Sequence, residues 1–229
     1  MELPPPYDAI QIDVERHLHD YLHISPDEIS QIIIVGANRA EEIGRLRRLY
    51  SRALFLCFEP NPNDYQFLAK KFGPDAQVSV SNLALSDLPG KARFYELAMA
   101  GNGSLLEPDV ESWATTNQWN DKSMASFEVQ MSTLDHEAAK LPAIDLLWMD
   151  VQGAEGKVLA GANEILKRTK AVFIEIALVH SPYKGAELFP KIKKRLETIG
   201  FICVGLGVDA RTGNGNAFFV KQFEGLVCK

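Results

Sequence analysis

Two rhythms of apolar and polar residues alternate along the chain. Short continuous apolar runs recur, beginning with Gln31–Val35 (QIIIV) and followed by ALFLCFEP, QVSVSNLALS, IDLLWMDV and AVFIEIALV. Runs of this kind predict strands buried on both faces. Between them apolar residues return every three or four positions, which predicts helices with one buried face. Glu41–Tyr50 aligns Ile43, Leu46 and Leu49, and NDYQFLAKKFG reads as a helix closed by Gly73. A helix after IDLLWMDV carries Val158, Ala162, Ile165 and Leu166 on one face, and one over about 186–198 aligns Leu188, Ile192, Leu196 and Ile199. The chain begins with an extended arm at Pro4–Pro6 and a helix in AIQIDVERHLHDYLH, and closes with FICVGLGV and NAFFVKQF as an antiparallel pair.

Strands separated by helices require crossover connections, so the expected fold is α/β with a mostly parallel sheet and an antiparallel closing hairpin. Residues 1–30 form an N-terminal arm and helix, and 31–229 form the main domain. Ligands of such sheets bind at the carboxyl ends of the strands, near the switch in strand order. Candidate chemistry therefore lies at Gly36–Asn38, Glu59, Asn82–Ser86, Asp150–Glu155 and Glu175–His180. One stretch, about 91–131, breaks the rhythm. It holds KARFYELA, a long loop with Trp113 and Trp119, and SFEVQMSTL. Long loops with aromatic residues point to a lid or acceptor-binding excursion, with a structural insertion as the alternative.

The composition is that of an ordinary globular protein, 46% hydrophobic and 24% charged, and the formal net charge is −6 with no basic patch. Duplex nucleic acid is thereby disfavoured as a main partner. Cys57, Cys203 and Cys228 form no CxxC pair, which argues against a disulfide framework or a zinc site and fits a reducing cytoplasm. His19 and His23 lie four apart, as some helical metal ligands do, but no carboxylate or cysteine is placed to complete a site, so no metal is expected. MELPPPYDAI lacks the features of a signal peptide, and no apolar run reaches the roughly 18–20 residues that cross a bilayer.

The glycine turn after the first strand and the carboxylate Glu59 at the end of the second suit an adenosine cofactor, whose ribose hydroxyls Glu59 would accept. The window GANRAE has one glycine where a dinucleotide fold carries three, which disfavours NAD. S-adenosyl-L-methionine (SAM) has no pyrophosphate and makes no such demand.

The segments VGAN, FEPNP, NLALSD, STLD and above all IDLLWMDVQGAEGKVLAGA resemble the FkbM-type family of class I SAM-dependent methyltransferases, from about Ile32 to Phe201. The resemblance implies a Rossmann-like class I methyltransferase fold and O-methylation of hydroxyls on saccharides, glycolipids or other natural products. By position, Gly36 and Asn38 would line the methionine end of SAM, and Glu59 would hold the ribose with Asn61 beside it. Asn82 and Ala84 would border the adenine, and Asp150 and Glu155 would sit near the transferring methyl group. The chain departs from the family where Ile34 and Val35 replace an acid, where Arg39 replaces an apolar residue and where Ala40 replaces a second glycine. These departures fall where the methionine carboxylate and ammonium would bind. Asp150 and His180 are the candidate bases, and Ser104, Trp113 and Trp119 the candidate acceptor contacts. The competing reading is a non-catalytic SAM-binding or partner-binding domain of the same fold.

Overall fold

A computed structural model describes residues 12–39, 41–97, 101–109, 111 and 123–222. Pro4–Pro6, Ala40, Trp113, Trp119 and Cys228 lie outside the described residues. The first helix, α1 (Val14–Leu22), is capped by the Asp13 carboxylate, which accepts from the Arg16 N–H. Its C-cap is His23, at φ 53° in the left-handed region, so His19 and His23 do not share a helical face.

The main sheet then builds in chain order from β1 (Gln31–Val35), α2 (Glu41–Leu49), β2 (Leu54–Phe58), α3 (Pro62–Phe72) and β3 (Val78–Ser81). A second sheet follows, of β4 (Ala84–Leu85), β5 (Gly90–Leu97), β6 (Gly103–Ser104) and β7 (Met124–Ser132). After α4 (Leu134–Glu137) the chain returns to the main sheet with β8 (Ile144–Met149), α5 (Glu155–Ala160), α6 (Asn163–Lys167), β9 (Thr169–Ala177), α7 (Phe189–Thr198), β10 (Phe201–Val208) and β11 (Asn214–Lys221). The seven strands lie in the order β10-β11-β9-β8-β1-β2-β3. All pairs are parallel except the two made by β11, which inserts between β9 and β10.

Alternation along β1 shows how the core divides. Ile32 and Ile34 face one side, with Ile43, Leu46, Leu68 and Phe218, while Ile33 and Val35 face the other, with Val158, Ile192 and Phe219. Successive strand side chains point to opposite faces, so a strand wholly covered by helices must be apolar throughout. Leu49 departs from the expected buried stripe of α2 and is exposed, while Tyr50 takes the buried place beyond it. The expected single helix after β8 is two short ones, α5 and α6, parted at Gly161. A side chain there would come within 2.1 Å of the Ser86 carbonyl, so the chain bends where it crosses that backbone.

The third apolar run also divides. Val78–Ser81 belongs to the main sheet and Ala84–Leu85 to the second. Within the irregular stretch at 91–131, β5 and β7 pair antiparallel from Gly90↔Met131 to Leu97↔Met124, around Phe94 and Val129.

Strand order runs outward from β1 in both directions, to β2 and β3 on one side and to β8 and β9 on the other. The crevice at the carboxyl ends of β1 and β8 is thus the switch point. At the opposite edge, the buried Asp145 accepts from the Ser30 N–H and hydroxyl, the Gln31 N–H and the Lys170 ammonium. Burial opposes its charge, but these donors outweigh it and hold the carboxyl below its usual range. Asp145 thus ties the amino ends of β1 and β8 together. Among the described residues no helix is long and apolar enough to cross a membrane.

Candidate functional site

Register assembles the site. Val35 lies beside both Phe58 and Met149, Phe58 beside Ser81, and Met149 beside Ile174. The next residue on each strand therefore falls into one transverse row: Asn82, Glu59, Gly36, Asp150, Glu175. A cleft opens over this row, lined among others by Gly36, Asn38, Glu59, Ala84 and Asp150.

Gly36 has φ +81°, and a side chain on it would sit 1.8 Å from the Asp150 carbonyl oxygen. Only glycine lets β1 turn here against β8. The turn aims the Asn38 N–H at Glu59 Oε2, 2.7 Å away, while the Asn61 N–H donates to Oε1 at 2.8 Å. Both oxygens of Glu59 are thus fixed by backbone, each with a lone pair left over. Burial pushes the Glu59 carboxyl up to about 7; the two N–H bonds act against this, and Asp64 and Glu96 add to it. Asn61 caps α3 by accepting from the Asn63 N–H, and its amide donates to Glu96 Oε1 at 2.8 Å. The Asn82 amide braces the same corner by donating to the Glu59 and Pro60 carbonyls. Arg39 donates to Asp64 Oδ1 at 2.9 Å on the rim.

On the other side of Gly36, Asp150 reaches solvent through the cleft while protein encloses it elsewhere. That enclosure raises its carboxyl above the usual range, against hydrogen bonds from Gln152 and Glu175. Gln152 Nε2 donates to Asp150 Oδ1 at 2.7 Å and to Glu175 Oε2 at 2.9 Å. Glu155 is buried beneath the turn, where its Oε1 accepts from the Val151 and Gly153 N–H groups at 3.0 and 3.3 Å. Burial, with the charge of Asp150 adding to it, pushes Glu155 up to about 7.

The structure therefore brings Gly36, Asn38, Glu59, Asn61, Ala84 and Asp150 to one cleft, with Asn82 and Glu155 as braces behind it. Ser104 is buried, donating to the Gln152 carbonyl at 2.8 Å and accepting from the Leu106 N–H. This hydroxyl ties the Gln152 turn to the second sheet and is not part of the cleft lining. His180 is exposed beyond the end of β9 and does not line the cleft. The candidate contacts Trp113 and Trp119 lie outside the described residues. Sequence reasoning gave no role to Glu96 or Gln152, and named Glu175 only as the start of a strand-end stretch. Glu175 was legible as a position at a strand end, and its partnership with Asp150 needed the register.

These residues fit SAM. Glu59 has lone pairs left over that could accept from ribose hydroxyls, Leu83, Ala84 and Leu85 line the cleft with apolar surface that adenine could stack on, and the acidic lining suits a cationic ligand. Hydrogen bonds to charged groups are worth about 1.5–3 kcal/mol, so Glu59→Ala is expected to weaken SAM binding roughly 10- to 150-fold by calorimetry. In the parent, affinity should fall as pH drops through about 7 and Glu59 takes up a proton. That limb should be missing in the variant. Equal affinity and equal pH dependence in the two proteins would refute the assignment.

Comparison with known proteins agrees. The family model described as "Methyltransferase FkbM domain" matches residues 35–203. The chain is 31% identical over 172 residues to the 2-O-methyltransferase NoeI of Sinorhizobium fredii, covering 72% of this chain and 69% of that protein. Among solved structures, fibrillarin of Aeropyrum pernix in complex with natively bound S-adenosyl-L-methionine is similar in fold. The TM-score is 0.51 at 10% identity, covering 86% of this chain and 69% of that one. The chain belongs to the FkbM methyltransferase family, and its methyl donor is S-adenosyl-L-methionine.

Proposed function

We propose that the protein methylates a hydroxyl oxygen of a neutral, saccharide-type acceptor, with Asp150 as the proton acceptor. The observation that carries this reading is the place of Asp150: it lies on the cleft wall, one strand from the Gly36 turn and two from Glu59. The 2-O-methyltransferase relative supports oxygen as the nucleophile. SAM, when bound, supplies a methyl carbon whose bond to sulfur breaks as its bond to the acceptor oxygen forms.

The chain's residues do the rest. A sugar hydroxyl is a weak nucleophile at neutral pH, so a carboxylate that accepts its hydrogen bond both orients the oxygen and takes the proton. A raised pKa makes Asp150 a better acceptor than an ordinary carboxylate. His180, exposed and away from the cleft lining, is the weaker candidate. Glu59, Asp64, Glu96 and Asp150 make the cleft acidic, which disfavours anionic acceptors. Phe94, Glu96 and Leu105 of the second sheet and its connections form the remaining wall, which suits an acceptor-binding excursion.

The test is S-adenosylhomocysteine release with neutral oligosaccharides, matched uronic-acid and sulfated sugars, and amines, with product mass read in parallel. Neutral saccharides are expected to gain one methyl group on oxygen. Turnover confined to amines or anionic sugars would refute the reading.

A further inference from the structure

Asp150 does not stand alone in its row. Glu175 lies beside it on β9, and one amide nitrogen, Gln152 Nε2, bonds to both carboxyl groups. Gln152 clamps the pair, giving one N–H to each. Gln152 is itself held: its backbone is left-handed at φ 55°, its carbonyl accepts from Ser104, and its Oε1 lies 2.9 Å from the Tyr183 hydroxyl. An amide that gives away both hydrogens and accepts at its oxygen has no free choice of orientation.

Two carboxyl groups held on one nitrogen repel each other when both are charged, which favours one proton on the pair. Burial comes first in holding Glu175 well above the usual range, followed by the charges of Asp150 and Glu155. The groups facing the pair are Glu155 from α5, Tyr183 through Gln152, and the uncharged Asn216, which pairs with Glu175 from β11. The charges acting on Glu175 are thus acidic, and all favour its protonated form.

We propose that Glu175 is a positioning residue for methyl transfer: it keeps one proton between itself and Asp150, and so holds Asp150 ionised and fixed at the cleft wall. The proposal rests on the reading of Asp150 as base. During transfer the acceptor's hydroxyl proton passes to Asp150 while Glu175 retains its own. The pair then carries two protons and returns one to solvent after the product leaves.

Glu175→Gln keeps shape and a hydrogen-bond donor but does not titrate; Glu175→Leu removes the donor. With both variants melting near the parent temperature, Gln should keep kcat within about threefold. Leu should lose about tenfold or more in kcat, the loss of a hydrogen bond to a charged group, with KM for SAM unchanged. Infrared spectra at the pH of maximal turnover, taken as a difference so that Glu59 and Glu155 cancel, should show a protonated-carboxyl band in the parent that Glu175→Gln lacks. If Glu175→Leu does not fold, this comparison decides alone. An identical band in parent and Glu175→Gln overturns the proposal, as does a Gln variant as impaired as Leu. A divalent-cation requirement lost on Glu175→Gln also overturns it, because the pair would then be an ionised ligand set. The band does not depend on turnover. If it behaves as expected but Asp150→Asn still turns over, the base assignment fails, and the positioning role with it, while the shared proton stands.

Discussion

Asp150→Asn is expected to lower kcat by about 10²–10⁴, the usual contribution of a positioned base, while SAM affinity changes little. Asparagine keeps the shape of the side chain. Its oxygen can still accept from Gln152 Nε2, so that clamp on the turn is kept. What disappears is the oxygen able to take a proton. The pH profile gives a second reading. A base works when ionised, and enclosure raises the Asp150 carboxyl. Parent turnover should therefore fall as pH is lowered through a value above the ordinary carboxylate range. The residual activity of the variant should lack that limb, and His180→Gln should keep it with turnover close to the parent. If Asp150→Asn melts at the parent temperature and retains near-parent kcat on a confirmed acceptor, Asp150 is a brace for the turn and the base lies elsewhere.

Gly36→Ala is expected to damage both fold and site. The added methyl would lie 1.8 Å from the Asp150 carbonyl oxygen, and that carbonyl belongs to a residue whose own N–H donates to Val35 at 3.0 Å. Backbone locked between two strands has little room to give. Left-handed backbone costs a residue with a Cβ roughly 1–2 kcal/mol, and overpacking adds about 1–3 kcal/mol, for a sum of about 2–5 kcal/mol. At about 2–4 °C per kcal/mol for a domain of this size, the melting temperature should fall by roughly 5–20 °C. SAM binding should be lost with it, since the same turn aims the Asn38 N–H at Glu59. Gly185→Ala is the control. Gly185 has φ +79°, but a side chain there meets open space, so only the conformational cost applies. Equal melting temperatures for the two variants would show that the close approach at Gly36 is not maintained in solution.

The sequence by itself determined the elements that bury an apolar face. Gln31–Val35 is apolar on both sides because helices cover both sides, and the structure begins and ends that strand at the residues expected. Strand ends were legible for the same reason, so Gly36, Glu59 and Asp150 could be named from the points where apolar runs stop. The paired closing strands could also be read. Their apolar patterning and the intervening DARTG turn are local features, although the insertion of β11 between β9 and β10 is not.

Only the tertiary structure decided what depends on register and close approach. The run QVSVSNLALS is uniform in pattern, yet its halves join different sheets, because partner strands rather than propensity set its division. The helix after β8 breaks at Gly161 because the Ser86 backbone crosses there, a contact between residues far apart in the chain. Glu155 and Ser104 look like site residues by type and position. In the structure backbone N–H groups and a carbonyl take up their polar atoms. Glu175 gave no local signal beyond its place at a strand end. Its significance comes from the one-residue step that sets Met149 beside Ile174, and so places one carboxyl group against another.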